Sequence, residues 1–194
     1  MLSIVKEISY NSHSFAKYLY LYSWPRNYEN FISFVLDLSV SILDRIYEGR
    51  PIQRFWVLEV IARAPYFAFL SVLHLQESLG LKTPLSNKLM KAHFYQAINE
   101  TEHLEEMESR SGNRYWVDRF LARHLVLFYY WVMVFYYLLS PSNAYDINIK
   151  IEEHAYETYA KYLTVNPNDQ RIREIAQDEI NHANELKEAI ALIS

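Results

Sequence analysis

Two copies of one motif constrain the fold of this 194-residue chain more than any other feature. The motif is Glu-x-x-His, and it occurs as Glu100-Thr-Glu-His103 and again as Glu179-Ile-Asn-His182. Residues three apart on an α-helix share a face, so each pair can direct a carboxylate and an imidazole at one point. Two such helices, together with one inward Glu from each of two others, supply the ligands of di-iron carboxylate four-helix bundles. The motif therefore predicts an all-α fold and two further glutamates in apolar helical settings.

Glu59 is the first candidate for such a glutamate. It follows the apolar run 56–58 and precedes the apolar run 60–62. A buried carboxylate without a partner costs several kcal/mol, so Glu59 must be neutral, ion-paired or bound to a metal. The purely structural alternative is a salt bridge to Arg54 or Arg63.

Glu152 is the second candidate, but the sequence offers two neighbours for the same role. Glu153 and Glu157 lie on the same predicted helix, and a charged helix face is usually just solvated. Spacing alone does not choose among the three. The remaining histidines, which lack a carboxylate three residues earlier, are interpreted as core or surface residues: His74, His93, His124 and His154.

Few residues in this chain break helices, and none is a cysteine. Three glycines and six prolines favour long helices joined by short turns, and the absence of cysteine restricts any metal site to oxygen and nitrogen ligands. After a poorly defined lead-in at 1–27, one domain is predicted over 28–194. Six long helices are predicted within it, at about 28–47, 51–79, 84–108, 115–139, 145–163 and 169–193.

The fourth predicted helix contains an uncharged, almost wholly apolar run, Leu125–Leu139. A bilayer-spanning helix needs about 20 such residues, so the run is short for a span. Periodicity alone favours a buried core helix. The alternative is a helix that lies in the membrane interface with its aromatic side chains at the lipid headgroups.

Charge and the N-terminal sequence limit the possible partners and location. The net charge of −4 does not indicate nucleic-acid binding. Residues Met1–Tyr10 carry neither a signal-peptide pattern nor an Arg-rich transit pattern, which predicts a protein that works where it is made.

Five segments, in order, resemble the alternative oxidase family, and in particular its plastid terminal oxidase branch. Three are the runs 55–74, 116–124 and 152–159, and the other two are Asn99–His103 and Asp178–His182. The resemblance covers about residues 35–190. It implies a membrane-associated di-iron quinol oxidase that oxidises plastoquinol or ubiquinol, reduces O₂ to water and does not pump protons.

The resemblance also implies a role for individual residues. Two iron ions would be bound by six residues, with Glu152 preferred to its neighbours: Glu59, Glu100, His103, Glu152, Glu179 and His182. Tyr159 matches a tyrosine considered redox-active, and Asn99 and Asp178 match residues that orient the ligands. Four positions match the surroundings of the quinol: Arg54, Leu58, Ala155 and Thr158.

Family members lie in one membrane leaflet through an apolar face made by their first and fourth helices. The resemblance therefore implies a monotopic protein on the cytoplasmic or stromal-equivalent side of a plasma or thylakoid membrane, and a homodimer. One departure is the short connection at about 164–168, where plastid members have a long insertion, so we expect fewer residues around the metals. The absence of a transit segment predicts a bacterial or viral form.

Two other functions are compatible with parts of the pattern. A soluble ferritin-like di-iron protein would have the same metals but a polar outer surface on the fourth helix. A non-enzymatic, membrane-associated helical protein would have only salt-bridged glutamates and bind no iron.

Overall fold

The computed structural model describes residues 38–193, which form α-helices joined by short turns, with no β-strand in this range. The helices are α1 (38–46, as described), α2 (Pro51–Ser78), α3 (Pro84–Ser109), α4 (Trp116–Leu139), α5 (Pro141–Val165) and α6 (Gln170–Ile193). The predicted all-α fold is confirmed, although α5 begins at Pro141 rather than near Tyr145. The predicted lead-in at 1–27 lies outside the described residues, and the single domain at 28–194 stays a prediction.

The helix starts follow from local sequence. Pro51, Pro84 and Pro141 each open a helix, where the missing N–H of proline is not needed by the helix. Before α3, the Thr83 hydroxyl accepts from the N–H of Ser86, and the Ser86 hydroxyl accepts from the N–H of Thr83. These reciprocal bonds fix the start of the helix that carries the first Glu-x-x-His motif.

Gly112 allows a close approach between α2 and the turn that follows α3. A Cβ at this position would lie 2.6 Å from the Cβ of Trp56 and 2.8 Å from the carbonyl oxygen of Met107. Only glycine fits without a shift of backbone, so the end predicted from Ser111-Gly112 has a packing reason as well as a conformational one.

The short connection between α5 and α6 is held by charge pairs. Asp169 accepts two hydrogen bonds from the guanidinium of Arg110 at the end of α3, and its Oδ1 also accepts from the N–H of Ile172. Arg110 pairs in addition with Glu106. The first turn of α6 is therefore tied to α3 as well as to α5.

Four helices form the bundle and α4 covers one side of it. α2 packs along α3, α5 packs along α6, and the two pairs meet through contacts of α2 with α5 and of α3 with α6. α4 packs on α2 and on α5. The buried apolar residues form two clusters, one around Phe55, Met107 and Ile175, the other around Phe69, Tyr145 and Leu186.

Much of α4 is exposed, so the buried-helix interpretation that periodicity favoured is wrong. Only 22% of its most apolar window is buried, against 67% in α2, and both helices are long and apolar enough to cross a membrane by length and composition alone. The exposed large apolar side chains of α4 are Trp116, Val117, Phe120, Leu121, Leu125, Leu127, Phe128, Trp131, Val132, Phe135 and Leu139.

Candidate metal centre

A polar layer lies between the two apolar clusters of the bundle. On α3, Glu100 and His103 fall between Ala97 of one cluster and Leu104 of the other. Corresponding positions on the other three helices carry Glu59, Glu152, Glu179 and His182. All six side chains are buried, and none has more than 6% of its surface exposed. Six ionisable groups in a bundle interior are unusual, because each charge must be neutralised or paired.

The six side chains form two overlapping groups. Ligand atoms of Glu59, Glu100, His103 and Glu179 lie within 4.8 Å of one another, and so do those of Glu100, Glu152, Glu179 and His182. Each group has one histidine and one glutamate of its own. Glu100 and Glu179 belong to both, as carboxylates that bridge two metal ions would.

Many polar atoms in this layer face one another without a hydrogen bond of normal geometry. They include both carboxylate oxygens of Glu100 and of Glu179, and Nδ1 of each histidine. His103 Nδ1 lies 3.2 Å from Glu179 Oε1, and His182 Nδ1 lies 2.8 Å from Glu100 Oε1. Buried polar groups almost always have partners, so these atoms fit ligands that converge on metal ions.

Burial and crowding shift the pKa values of these groups in the metal-free arrangement. Burial, followed by the charge of Glu100, raises the pKa of Glu179 and of Glu59 well above the usual range of a carboxyl group. The same two causes raise the pKa of Glu152 to about 7. Contact with Glu100 outweighs burial and raises the pKa of His182 to about 9. Without a cation, the layer must therefore hold extra protons, and a metal ion can replace them.

A surrounding set of hydrogen bonds orients the ligand side chains. His103 Nε2 lies 3.2 Å from Asp178 Oδ2, which leaves Nδ1 directed at the carboxylates. The hydroxyl of Tyr66 donates to Glu152 at 2.7 Å, and the hydroxyl of Tyr159 donates to Glu59. Such outer contacts fix the rotamer and tautomer of a metal ligand.

Asn99 and Asp178, the residues predicted to orient the ligands, lie next to each other. The hydrogen bond to His103 is the main cause that lowers the pKa of Asp178, and a hydrogen bond from Asn99 adds to it. Asp178 thus remains an anion that can hold the imidazole of His103.

Two of the four residues predicted near the quinol, Arg54 and Thr158, are in contact between α2 and α5. Arg54 donates to the hydroxyl of Thr158 at 3.3 Å, and its guanidinium pairs with Asp44 of α1 at 2.7 Å. Ala155 is buried and Leu58 is half-buried on the same stretches of helix. The buried Nε of Arg54 has no hydrogen-bond partner among residues 38–193, so one donor of the guanidinium is unpaired there.

The structure resolves the alternatives that spacing left open. Glu59 forms no ion pair with Arg54 or Arg63 among the described residues, so the salt-bridge interpretation is wrong. Glu153 pairs with Lys187 on the surface, and Glu157 is exposed. Only Glu152 of the three glutamates on α5 reaches the polar layer.

Two residues of this region, Tyr66 and Asp44, were not predicted from the sequence. Tyr66 lies seven residues after Glu59, about two helical turns along the same face of α2, and that spacing was the available signal. Asp44 gave no signal, because its contact with Arg54 depends on how α1 packs against α2.

Comparison with known proteins identifies the same family that the sequence motifs resemble. The family model for alternative oxidase matches residues 23–185. The chain belongs to the alternative oxidase family. Members of this family are di-iron carboxylate proteins, and the buried Glu/His layer has the donors for two metal ions. The family and the donor set thus confirm the predicted di-iron cofactor.

One curated relative in the family is "Ubiquinol oxidase 4, chloroplastic/chromoplastic" of Arabidopsis thaliana. It is 49% identical over 130 residues, which cover 67% of this chain and 36% of the relative. The chain thus spans little more than a third of that protein's length, and the likeness supports the plastid terminal oxidase branch of the alternative oxidase family. No solved structure matches the chain.

Proposed function

We propose that this protein is a di-iron quinol oxidase that oxidises quinol to quinone and reduces O₂ to water. The observation that carries the proposal is the pair of overlapping Glu/His groups that share Glu100 and Glu179. Membership of the alternative oxidase family supports quinol and O₂ as the substrates.

In this proposal Glu59 and His103 would hold one iron, and Glu152 and His182 would hold the other. Glu100 and Glu179, which belong to both groups, could serve as ligands of either iron. Carboxylate and imidazole ligands suit iron, and four carboxylates offset much of the charge of two such ions. When bound, a pair of irons supplies the redox chemistry by which O₂ accepts electrons.

The protein's own residues bind the quinol and manage its electrons and protons. The guanidinium of Arg54 can donate to a quinol oxygen, because its Nε has no partner among the described residues and Thr158 holds one of its terminal nitrogens. Leu58 and Ala155 offer apolar contact to the ring. Tyr159 donates its hydroxyl to Glu59, so an electron and a proton of this tyrosine can leave together toward the metal layer.

The exposed apolar surface supports binding to one membrane leaflet. Leu38, Ile42 and Ile46 of α1 recur every four residues and are each about half exposed, at 49%, 50% and 54%. Helix α4 also exposes large apolar side chains, among which Phe128 is 69% exposed. A soluble monomer rarely exposes so many large apolar side chains on one helix as α4 does, which argues against the ferritin-like alternative. Quinol dissolves in lipid, so access from a leaflet suits the reaction.

The location and the quinone are finer parts of the same proposal. We place the protein on the cytoplasmic or stromal-equivalent face of a plasma or thylakoid membrane. Plastoquinol is the favoured substrate because the motifs resemble the plastid branch, while the Arabidopsis relative is named a ubiquinol oxidase. A homodimer is proposed as well, and the exposed Phe94, Tyr95 and Ile98 on α3 offer an apolar surface for it.

The test is quinol-dependent O₂ uptake by membranes that contain the protein, with cyanide present to block haem-copper oxidases. Wild type is compared with Glu100→Ala, once with plastoquinol and once with ubiquinol. The proposal predicts cyanide-insensitive uptake that disappears in the variant. Absence of uptake by a wild-type protein that still binds two irons would contradict the quinol oxidase and favour the ferritin-like alternative.

A further inference from the structure

A second buried polar network lies in the apolar cluster around Phe69, apart from the metal ligands. The hydroxyls of Tyr137 and Tyr145 are 2.7 Å apart, and the hydroxyl of Tyr145 is 2.7 Å from Nε2 of His93. His93 Nδ1 is 2.9 Å from Gln96 Oε1, and Gln96 Nε2 donates to Glu185 at 2.9 Å. Tyr145 and His93 are fully buried.

These contacts indicate the direction of the hydrogen bonds that join Gln96, His93, Tyr145 and Tyr137. Because the amide nitrogen of Gln96 donates to a carboxylate, its oxygen must accept from N–H at Nδ1 of His93. Nε2 of a neutral His93 then carries a lone pair, and the Tyr145 hydroxyl donates to it. The Tyr137 hydroxyl in turn donates to the oxygen of Tyr145. Burial lowers the pKa of His93 to about 4, so the imidazole is neutral at physiological pH.

Aromatic contacts connect this network with the metal layer. The hydroxyl of Tyr66 donates to Glu152, and the centroid of its ring lies 5.8 Å from the ring centroid of His182. Between ring centroids, Tyr66 is 6.1 Å from His93 and 6.2 Å from Phe69. The ring centroid of Phe69 is in turn 5.0 Å from that of Tyr145. Each step is a contact between neighbouring rings.

We propose that Tyr145 is a second redox-active tyrosine, which gives one electron to the oxidised metal centre while His93 takes its hydroxyl proton. The inference rests on the proposed oxidase function, which supplies the oxidant. In the step, the O–H bond of Tyr145 breaks, the proton forms an N–H bond at Nε2 of His93, and the electron passes through the ring contacts to the centre. The products are a neutral tyrosyl radical, an imidazolium and a centre reduced by one electron.

Tyr145 suits this role better than Tyr66, although Tyr66 is nearer to the metals. Among the described residues the Tyr66 hydroxyl, like that of Tyr159, donates to a carboxylate of the proposed ligand set, here Glu152, so its proton would enter the metal layer. The base beside Tyr145 is not a ligand in the proposed site. Reduction of O₂ to water takes four electrons and one quinol gives two, so a separate tyrosine can hold an oxidising equivalent until the next quinol binds.

The test looks for the radical rather than for turnover. Protein carrying Tyr159→Phe is loaded with Fe²⁺, mixed with O₂ without quinol, frozen within milliseconds and examined by electron paramagnetic resonance. A tyrosyl radical is expected in this variant. It should fall to background in Tyr159→Phe/Tyr145→Phe and persist in Tyr159→Phe/Tyr129→Phe. Tyr129 is the matched control, because its hydroxyl is also buried but has no hydrogen-bond partner among the described residues.

Iron content and O₂ consumption are measured on the same samples. If wild-type protein treated in the same way binds no iron or consumes no O₂, the proposed oxidase function fails. If both occur but Tyr159→Phe gives no radical, or the radical survives Tyr145→Phe, the inference about Tyr145 is overturned. Histidine labelled with ¹⁵N supplies a check that needs no second substitution, since a radical on Tyr145 must show coupling to the nitrogen of His93. A radical without that coupling also overturns the inference.

Discussion

Substitution of Tyr159 tests the role proposed for a single residue beside the metal layer. Tyr159→Phe removes one hydroxyl, the donor to Glu59, and leaves the six proposed ligands intact. We expect iron content to stay unchanged and quinol-dependent O₂ uptake to fall about tenfold or more. Oxygen electrode rates and iron analysis on one preparation measure both. A variant with the wild-type rate would show that the hydroxyl has no role in electron transfer.

His93 gives a prediction about pH. Its pKa is about 4 in the folded protein, below the ordinary value of 6.5 that the unfolded chain has. Between these values the unfolded state binds a proton that the folded state does not, so the free energy of unfolding falls on acidification. The loss should reach about 3 kcal/mol by pH 4.

Urea denaturation of the iron-free protein between pH 7.5 and pH 4 measures this effect. His93→Gln lacks the titrating group, so wild type should lose about 3 kcal/mol more than the variant over that range. Parallel pH profiles of the two proteins would contradict a buried, neutral His93.

For single residues, the sequence predicted the ligand pairs better than it predicted which other side chains lie in contact. The Glu-x-x-His spacing places Glu100 with His103 whatever the tertiary fold, because both lie on one helix. The choice of Glu152 over Glu153 depends on which face of α5 meets the bundle, and spacing on a charged helix does not fix that. The family resemblance supplied it instead.

The contact between α1 and α2 gives the first prediction at the scale of elements. Asp44 of α1 pairs with Arg54 of α2, the residue proposed to meet the quinol. The carboxylate is about half exposed, so the pair is weak, and Asp44→Asn should raise the KM for quinol only about two- to fivefold. Iron content should not change. Glu48→Gln, an exposed change one turn further along the chain, is the control and should leave KM unaltered.

The exposed face of α4 gives the second prediction at the scale of elements. Phe128 is 69% exposed, and a charged side chain at a membrane-buried position costs about 2.5–3.5 kcal/mol. We therefore expect Phe128→Asp to weaken binding to liposomes about tenfold or more in a flotation assay. Val165→Asp alters a side chain that is 80% exposed at the end of α5, outside the proposed membrane face, and should float like wild type. Equal flotation of all three proteins would contradict a membrane face on α4.

Local sequence signals predicted the helices well, but only the family resemblance predicted an exposed apolar face on α4. Proline at the first helical position and glycine beyond the last are local signals, so the ends of α2 and α3 were predicted to within about a residue or two. Whether α4 is buried does not depend on its own sequence alone. A uniformly apolar run fits a core helix and a lipid-facing helix equally well, and only its packing partners, α2 and α5, decide between them.

At the scale of the whole molecule, the metal layer is a source of instability that metal binding relieves. Six ionisable groups are buried between two apolar clusters, and three of the carboxyl groups have raised pKa values. Fe²⁺ that is bound by the assembled layer of the folded chain should stabilise the fold by mass action. We expect Tm to rise with Fe²⁺ and to fall again with a chelator, as followed by circular dichroism.

This stabilisation should grow with pH. Glu152 has a pKa of about 7 and His182 one of about 9, both above their unfolded values. The folded, metal-free protein therefore holds protons that the unfolded chain has lost, and its stability declines as pH rises through this range. The iron-bound form has no such protons to lose, so the difference in Tm should be larger at pH 8 than at pH 6. A constant difference would contradict the exchange of protons for metal.

The most direct test of the account is the iron content of the purified protein. Two overlapping groups of ligands predict two irons per chain in the wild type. Glu100→Gln removes a carboxylate that belongs to both groups, so it should lower the content of both irons. Glu102→Gln, two residues further on and exposed, should keep two. A wild type without iron, or a Glu100→Gln protein that still binds two irons, would contradict the di-iron centre.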